Sequence, residues 1–379
     1  MRSPKQDMRV RIFSRAYIQQ ELHLRCQSLA ANDNRGFRQE FQELKDVGKE
    51  LTSRIGNLEA NREKNRYPYI LPYDHCRVRL SLQESRPYSD YINASFVPGG
   101  GSERDFICTQ GPLHNTTADF WRMVWEQNVR IIVMVTALRH KDTVLCDQYW
   151  PLEQGTVCYG LVQVTTLCRK KGPDYFITTI NLRRRGCSPE RIVTHYHYPT
   201  WPDQGVPKDR ASLCNLTEHV RQHLEAIPHL GPTVVHCSAG IGRSGAFVTL
   251  LWLMQLCMRG IQPDIRGAVG DLRRHRMWMV QNLDQYVLVH WSLLHWLSGK
   301  AGGTPTRGLK SKAFGVNTSQ TQDQLQSSSG HADRGRHQHG RHDPPSEQPQ
   351  SPMQHLLHPG KLLRRLMSSS LQLNQHSHT

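Results

Sequence analysis

His236-Cys237-Ser238-Ala239-Gly240-Ile241-Gly242-Arg243-Ser244-Gly245 is the stretch that decides how this chain reads. The apolar run Thr233-Val234-Val235 leads into it, and a helix-like segment from Gly245 towards Met258 leads out. That order predicts a strand, a tight glycine-bearing loop and a helix N-terminus. Backbone N–H groups in such a loop converge on one point, and the dipole of the following helix turns that point into an anion cradle. Ser238, Ala239, Gly240, Ile241 and Gly242 supply the candidate amides, with Cys237 at the floor and Arg243 at the edge. A thiol in that position ionises more readily than a free cysteine, whose pKa is about 8.5. A guanidinium fork can hold two phosphate oxygens at once. The stretch therefore predicts a nucleophile beneath a bound phosphate. A nucleotide P-loop is excluded, because no Gly-Lys-[Ser/Thr] ending follows. An inert buried cysteine beside a glycine turn is the plainer reading, but it leaves His236, Arg243 and Ser244 at this spacing unexplained.

A thiolate under a phosphate is half an enzyme, since the departing oxygen needs a proton. Trp201-Pro202-Asp203-Gln204-Gly205-Val206-Pro207 answers that need: two prolines and a glycine mark a loop that swings between stiff hinges and carries one carboxylate. Asp203 is the candidate general acid, giving a proton to the leaving oxygen and later taking one from water. Alone, this Pro-Asp would read as an ordinary turn; Trp201 and the downstream cysteine loop favour the catalytic reading.

Composition bounds the rest. The chain has 379 residues and a formal charge of +16, which suits phosphorylated or polyanionic partners, or an anionic membrane face. It does not select nucleic acid, because no zinc-finger spacing and no interleaved basic–aromatic face is present. Ten cysteines are scattered without a CxxC pair, the pattern of a reducing compartment. The first 30 residues are polar and basic without the apolar core of a signal peptide, and no run approaches the roughly 18 apolar residues of a membrane span. As written, the chain is expected in the cytoplasm.

Three regions separate by composition. Residues 1–35 are polar and basic, with one helical prospect over Ala16–Ala31; 36–298 carry nearly all the aromatic and β-branched residues; 299–379 are rich in Ser, Gln, His, Gly and Pro and are expected to be disordered. In that tail His337, His339 and His342 read as a solvated tract rather than a metal site, and Leu362–Leu366 is too short for an independent helix. Within the middle region, strands are expected at Ile131–Val135, Cys158–Leu167, Asp174–Leu182 and His195–Tyr198. Helices are expected at Thr117–Gln127, Leu213–Ala226, Gly245–Met258, Ile265–His275 and Leu283–Leu297. The pattern predicts an α/β or α+β domain built on one mixed sheet flanked by helices.

With these pieces in place, residues 35–297 resemble the tyrosine-specific protein phosphatases. The cysteine loop His236–Gly245 and the acid loop Trp201–Pro207 match, and Lys64-Asn65-Arg66-Tyr67 with Pro72-Tyr73-Asp74 resembles the family's substrate-tyrosine loop. Asp90–Ser95, Thr109–Leu113, Asp119-Phe120-Trp121 and Val280–Tyr286 match further blocks. The segment before the domain resembles the juxtamembrane wedge of receptor-type members with a single catalytic domain. The resemblance implies a highly twisted sheet, phosphotyrosine-containing protein substrates and a cysteinyl-phosphate intermediate, with no metal or other cofactor. It also implies membrane proximity if a longer receptor form exists. By the same resemblance Tyr67 stacks on the substrate ring, Gln281, with Gln285, places the hydrolytic water, and Ser244 stabilises the departing thiolate.

The sequence departs from the family in several places. Ser244 replaces Thr, Asn282 stands where Thr is common, Tyr69 occupies a slot that often carries Asp or Asn, and Leu145 replaces Lys. By spacing, His140 falls where an acidic partner of the catalytic arginine belongs, which predicts a less firmly oriented Arg243. Those departures motivate an alternative, a phosphotyrosine-binding protein with weak or no turnover. A phosphatase acting on phosphoinositides or phosphoserine is a third reading, opposed by Tyr67.

Overall fold

The computed structural model describes residues 11–299 apart from Ser188 and Gln204. The tail, with its histidine cluster and its Leu362–Leu366 segment, lies outside the described residues beyond Gly299. In chain order the elements are α1 (Arg15–Glu43), β1 (Arg77–Arg79), β2 (Tyr91–Val97), β3 (Phe106–Thr109), α2 (Thr117–Glu126), β4 (Ile131–Met134), β5 (Arg139–His140) and β6 (Thr143–Val144). They continue with β7 (Gly155–Tyr159), β8 (Val162–Lys171), β9 (Phe176–Arg184), β10 (Arg191–His197), α3 (Arg210–Ala226), β11 (Thr233–His236), α4 (Gly242–Met258), α5 (Ile265–His275) and α6 (Leu283–Ser298).

Nine strands form one mixed sheet in the order β1-β2-β3-β11-β4-β10-β9-β8-β7, while β5 and β6 make a separate small hairpin. The centre, β3, β11, β4 and β10, is parallel, and the outer pairs are antiparallel. Every residue of β2, β3, β4 and β11 is buried, as expected of strands covered on both faces. The pleat divides them cleanly. Val133, Val235 and Cys108 face a core with Phe37, Phe247, Leu250 and Leu293 from the C-terminal helices and α1. Ile132, Val234 and Ile107 face a second core with Phe120 and Trp121 of α2 and Trp150.

The expected Cys158–Leu167 strand is instead a hairpin, β7 and β8, turning at Gly160, whose φ of +62° favours glycine. Periodicity runs on through such a tight turn, so the sequence reading fused the two strands. The short strand expected at His195 starts four residues earlier, because Arg191–His197 pairs along its length with β9. The Ala16–Ala31 helix is present as the first part of α1, which breaks at Asn32, Asp33 and Asn34, all left-handed. Ile18, Leu22, Cys26 and Phe37 of α1 are buried in the same core as α6.

Four helices are capped by side chains at their N-termini: Ser14 accepts from the Tyr17 amide, Asp209 from the Ala211 and Ser212 amides, Asp264 from Gly267, and Asn282 from Gln285. At α4 the position before the helix is Ile241, which offers no side-chain cap. The N-terminal amides of that helix are thus left to an external acceptor.

Candidate active site

β11 delivers His236 at the end of the parallel centre, and the loop turns sharply into α4, three residues earlier than the sequence suggested. Two glycines make the turn fit. Gly240 has φ +73°, and a Cβ there would stand 2.1 Å from the Thr109 carbonyl oxygen. A Cβ on Gly242 would sit 2.8 Å from the Gln285 amide group. From beneath, Arg276 holds the loop's carbonyls. Its side chain is fully buried, and it donates to Gly240 O at 2.8 Å, Ala239 O at 3.0 Å and Asn93 Oδ1 at 2.8 Å. With those carbonyls drawn back, the loop's amide groups are free to face the cradle.

Cys237 lies at its floor, buried, with the Gly240 amide donating to its sulfur at 3.2 Å. Burial opposes ionisation of that thiol, but Arg243, the Ser244 hydroxyl and amide, and the Gly240 amide outweigh it and lower it below the ordinary cysteine value. The Ser244 hydroxyl is buried and completes no hydrogen bond elsewhere, which leaves it to the sulfur. Cys76, Cys108, Cys214 and Cys257 behave oppositely: burial pushes each thiol up to about 12.

Arg243 is buried and well held. Its Nη1 donates to Thr136 Oγ1 at 2.9 Å and to the Trp201 carbonyl at 3.4 Å, and its Nη2 pairs with Asp203 Oδ1 at 2.8 Å. His140 is exposed in the β5–β6 hairpin and is not among these partners, so the expectation that Arg243 is loosely oriented is corrected. The partner is a neutral hydroxyl four residues before His140, which spacing alone did not single out. Trp201, itself buried, donates its Nε1–H to Gly205 O at 3.0 Å and pins the acid loop so that Asp203 reaches the cradle.

The pocket wall is Tyr67, whose hydroxyl shares a 2.6 Å hydrogen bond with Ser238 Oγ. Burial raises the phenol above its ordinary value, so the ring stays neutral. Arg66 anchors that wall through Gly111 O at 3.0 Å, Pro112 O at 2.7 Å and Asp147 at 2.8 Å. Tyr69 is 64% exposed and free to meet a peptide, while Leu145 is buried. On the far side the Val280–Gln285 segment lies tight against α4, where a Cβ on Gly245 would stand 2.4 Å from Val280 N. Gln281 lies close to Gly242. Gln285 is buried, and its Oε1 accepts from the Gln281 amide at 2.9 Å, so it holds the loop that carries Gln281.

Behind the cysteine runs a buried array. His236 Nδ1–H donates to Cys237 O at 3.1 Å, which leaves Nε2 to accept from Tyr149 OH at 2.7 Å. Tyr149 then accepts from His195 Nε2–H at 2.7 Å, leaving His195 Nδ1 as a bare, unpartnered acceptor. Burial pushes His236 down to about 3 and His195 well below the usual range. Both rings are neutral and hold position without trading protons.

A recessed cysteine sulfur, a buried guanidinium fork and the carboxyl group of a proline-flanked loop thus meet at one cradle. Over residues 61–295 the sequence matches the family described as protein-tyrosine phosphatase. The chain belongs to the protein-tyrosine phosphatase family. It is 41% identical over 266 residues to receptor-type tyrosine-protein phosphatase V of Rattus norvegicus, which covers 70% of this chain and 16% of that protein. It is 40% identical over 291 residues to receptor-type tyrosine-protein phosphatase F of Danio rerio (76% and 15%) and 41% over 283 residues to the Homo sapiens form (74% and 14%). The matched stretch therefore spans between 14% and 16% of the length of these curated relatives. The large mixed sheet flanked by helices is the architecture expected of a protein-tyrosine phosphatase. Three contributors to this protein-tyrosine phosphatase site escaped the sequence reading: Arg276, Thr136 and Tyr149. An arginine after a helix reads as surface charge, and a threonine after a strand as a turn. Only Tyr149, an aromatic near a predicted core, carried any signal.

Proposed function

We propose that this chain hydrolyses phosphotyrosine in proteins through a cysteinyl-phosphate intermediate. The observation that carries the reading is the lowered Cys237 thiol lying under Arg243 and the loop amides, with Asp203 in reach of the same arginine. The phosphoryl group takes the cradle, where the Ser238–Gly242 amides and Arg243 bear its charge. Cys237 Sγ bonds to phosphorus as the P–O bond to tyrosine breaks, and Asp203 supplies the proton to the phenolate. Water placed by Gln281 then attacks, Asp203 takes its proton, and the released thiolate is stabilised by Ser244. Tyr67 makes the pocket deep enough that a phosphotyrosine reaches the sulfur and a phosphoserine falls short.

Partners are phosphotyrosine-containing proteins. Ten free cysteines support a reducing, cytosolic setting, at the face of a membrane if a longer receptor form carries this segment. Among the described residues no helix is long and apolar enough to cross a membrane. The binding-only alternative rested on His140, Tyr69 and Leu145. The Thr136 anchor on Arg243 removes its main support.

Kinetics on a phosphotyrosyl peptide and its phosphoseryl counterpart test the reading. The wild type should turn over only the first, Cys237→Ser neither, and Asp203→Ala should lose about 10²–10⁴ in kcat at little change in KM. Equal rates on both peptides, or equal loss of binding and rate in Asp203→Ala, would overturn it.

A further inference from the structure

A second cationic site lies away from the cradle. A groove of about 490 Å³ is bordered by Arg79 at the end of β1, Trp125 and Glu126 at the C-terminus of α2, Arg184 at the end of β9 and Arg191 at the start of β10. β10 runs parallel to β4, and β4 to β11. Arg191 therefore opens the parallel strands at the end opposite the one that delivers Cys237, and none of these residues touches the cradle. Arg191 stacks 3.9 Å over the Trp125 ring and donates to the Trp125 carbonyl, which fixes its guanidinium in place.

The groove's charge is not balanced from within. Among the described residues Arg79, Arg184 and Arg191 form no ion pair, whereas neighbouring arginines do: Arg77 with Asp90, Arg122 with Asp119 and Arg183 with Glu190. The one carboxylate in the lining, Glu126, has one oxygen accepting from the Ser81 amide at 2.9 Å. Its other oxygen is buried without a partner, so it forms no ion pair with the three cations. Burial pushes Arg191 below its ordinary value, and the charges of Arg130 and Arg184 add to this. Three guanidiniums set against the single Glu126 carboxylate leave the lining with an excess of positive charge, which raises the local potential and recruits an anion. Planar forks from separate segments match the several oxygens of a phosphate better than the single plane of a carboxylate. The bland reading, that Arg191 merely closes the end of α2, accounts for one arginine and leaves Arg79 and Arg184 idle.

We propose that this groove is a second anion site, separate from the catalytic cradle, that binds phosphate groups carrying two or more negative charges. The phosphate arrives either on a small free polyphosphate or on a phosphorylated side chain of a protein partner.

The test is calorimetric titration of the full chain with its cradle filled by orthovanadate, using inorganic pyrophosphate in one arm and a phosphoseryl peptide in the other. Binding of either should persist under orthovanadate and weaken about tenfold or more in the double variant Arg79→Gln/Arg184→Gln, as expected for lost charge-assisted hydrogen bonds. The variant's turnover of p-nitrophenyl phosphate should stay at the wild-type rate, which also reports that it is folded. The tighter arm identifies the source of the phosphate. No binding in either arm, binding abolished by orthovanadate, or equal affinity in the double variant would overturn the proposal.

Discussion

Arg276→Met separates the loop's support from its chemistry. The side chain is fully buried and donates to Gly240 O, Ala239 O, Asn93 Oδ1 and Ser95 Oγ. Methionine fills most of the volume but donates to none of these. Each buried carbonyl left without a partner costs about 1–3 kcal/mol. Two such carbonyls, less the relief of no longer burying a cation without a carboxylate, give a net loss of about 2–4 kcal/mol. For a folded unit of this size that corresponds to a melting temperature lower by roughly 3–7 °C. The kinetic effect is separate. Once Ala239 and Gly240 can turn, the amides no longer converge, and a misplacement of about 1 Å costs about 10²-fold in rate. Burial holds Arg276 below its ordinary value, and Cys237 is among the groups that raise it; by reciprocity the arginine favours the thiolate, so its removal should raise the Cys237 thiol. Thermal melts, kcat on a phosphotyrosyl peptide and the pH dependence of iodoacetate alkylation read the three effects. A variant that melts lower but keeps wild-type kcat and the wild-type alkylation profile would refute the reasoning and leave Arg276 a purely structural residue.

Two further outcomes follow from the same geometry. Because Cys237 ionises below the ordinary cysteine value while Cys108 and Cys257 are pushed up to about 12, iodoacetate near neutral pH should modify Cys237 and spare those two. The rate should stay level as pH falls from 9 and drop only below the lowered value, which peptide mapping across pH will check. Gly240→Ala forces a Cβ to within 2.1 Å of Thr109 O at a φ of +73°; it should cut kcat by at least about 10² and lower the melting temperature, with unchanged values of both counting against the close fit.

Much of the fold was legible because its signals are local. Ile131–Met134 is continuously apolar, and α5 matches the range its sequence pattern suggested. Failures came where local pattern is blind. Gly160 let one apolar–polar alternation run through a turn and hide a hairpin. At the site, Cys237, Arg243, Asp203, Tyr67 and Gln281 announced themselves through rare spacing. Their supports did not, because Arg276 acts 36 residues from Gly240 and Thr136 acts 107 residues from Arg243. His140 shows the opposite error: counting along the chain put a partner where the backbone had already turned into an exposed hairpin.

The Tyr149 hydroxyl joins His195, on the strand that runs out towards the acid, to His236, on the strand that runs out towards the nucleophile. The roots of the two reacting arms are thereby clamped by one uncharged rivet. Because His236 does not take a proton until about pH 3, acidifying the medium across the working range leaves that rivet's length alone. Asp203 sits beyond that clamp on the Trp201–Pro207 loop, so its distance from the sulfur is set by its own pair with Arg243 and not by the rivet.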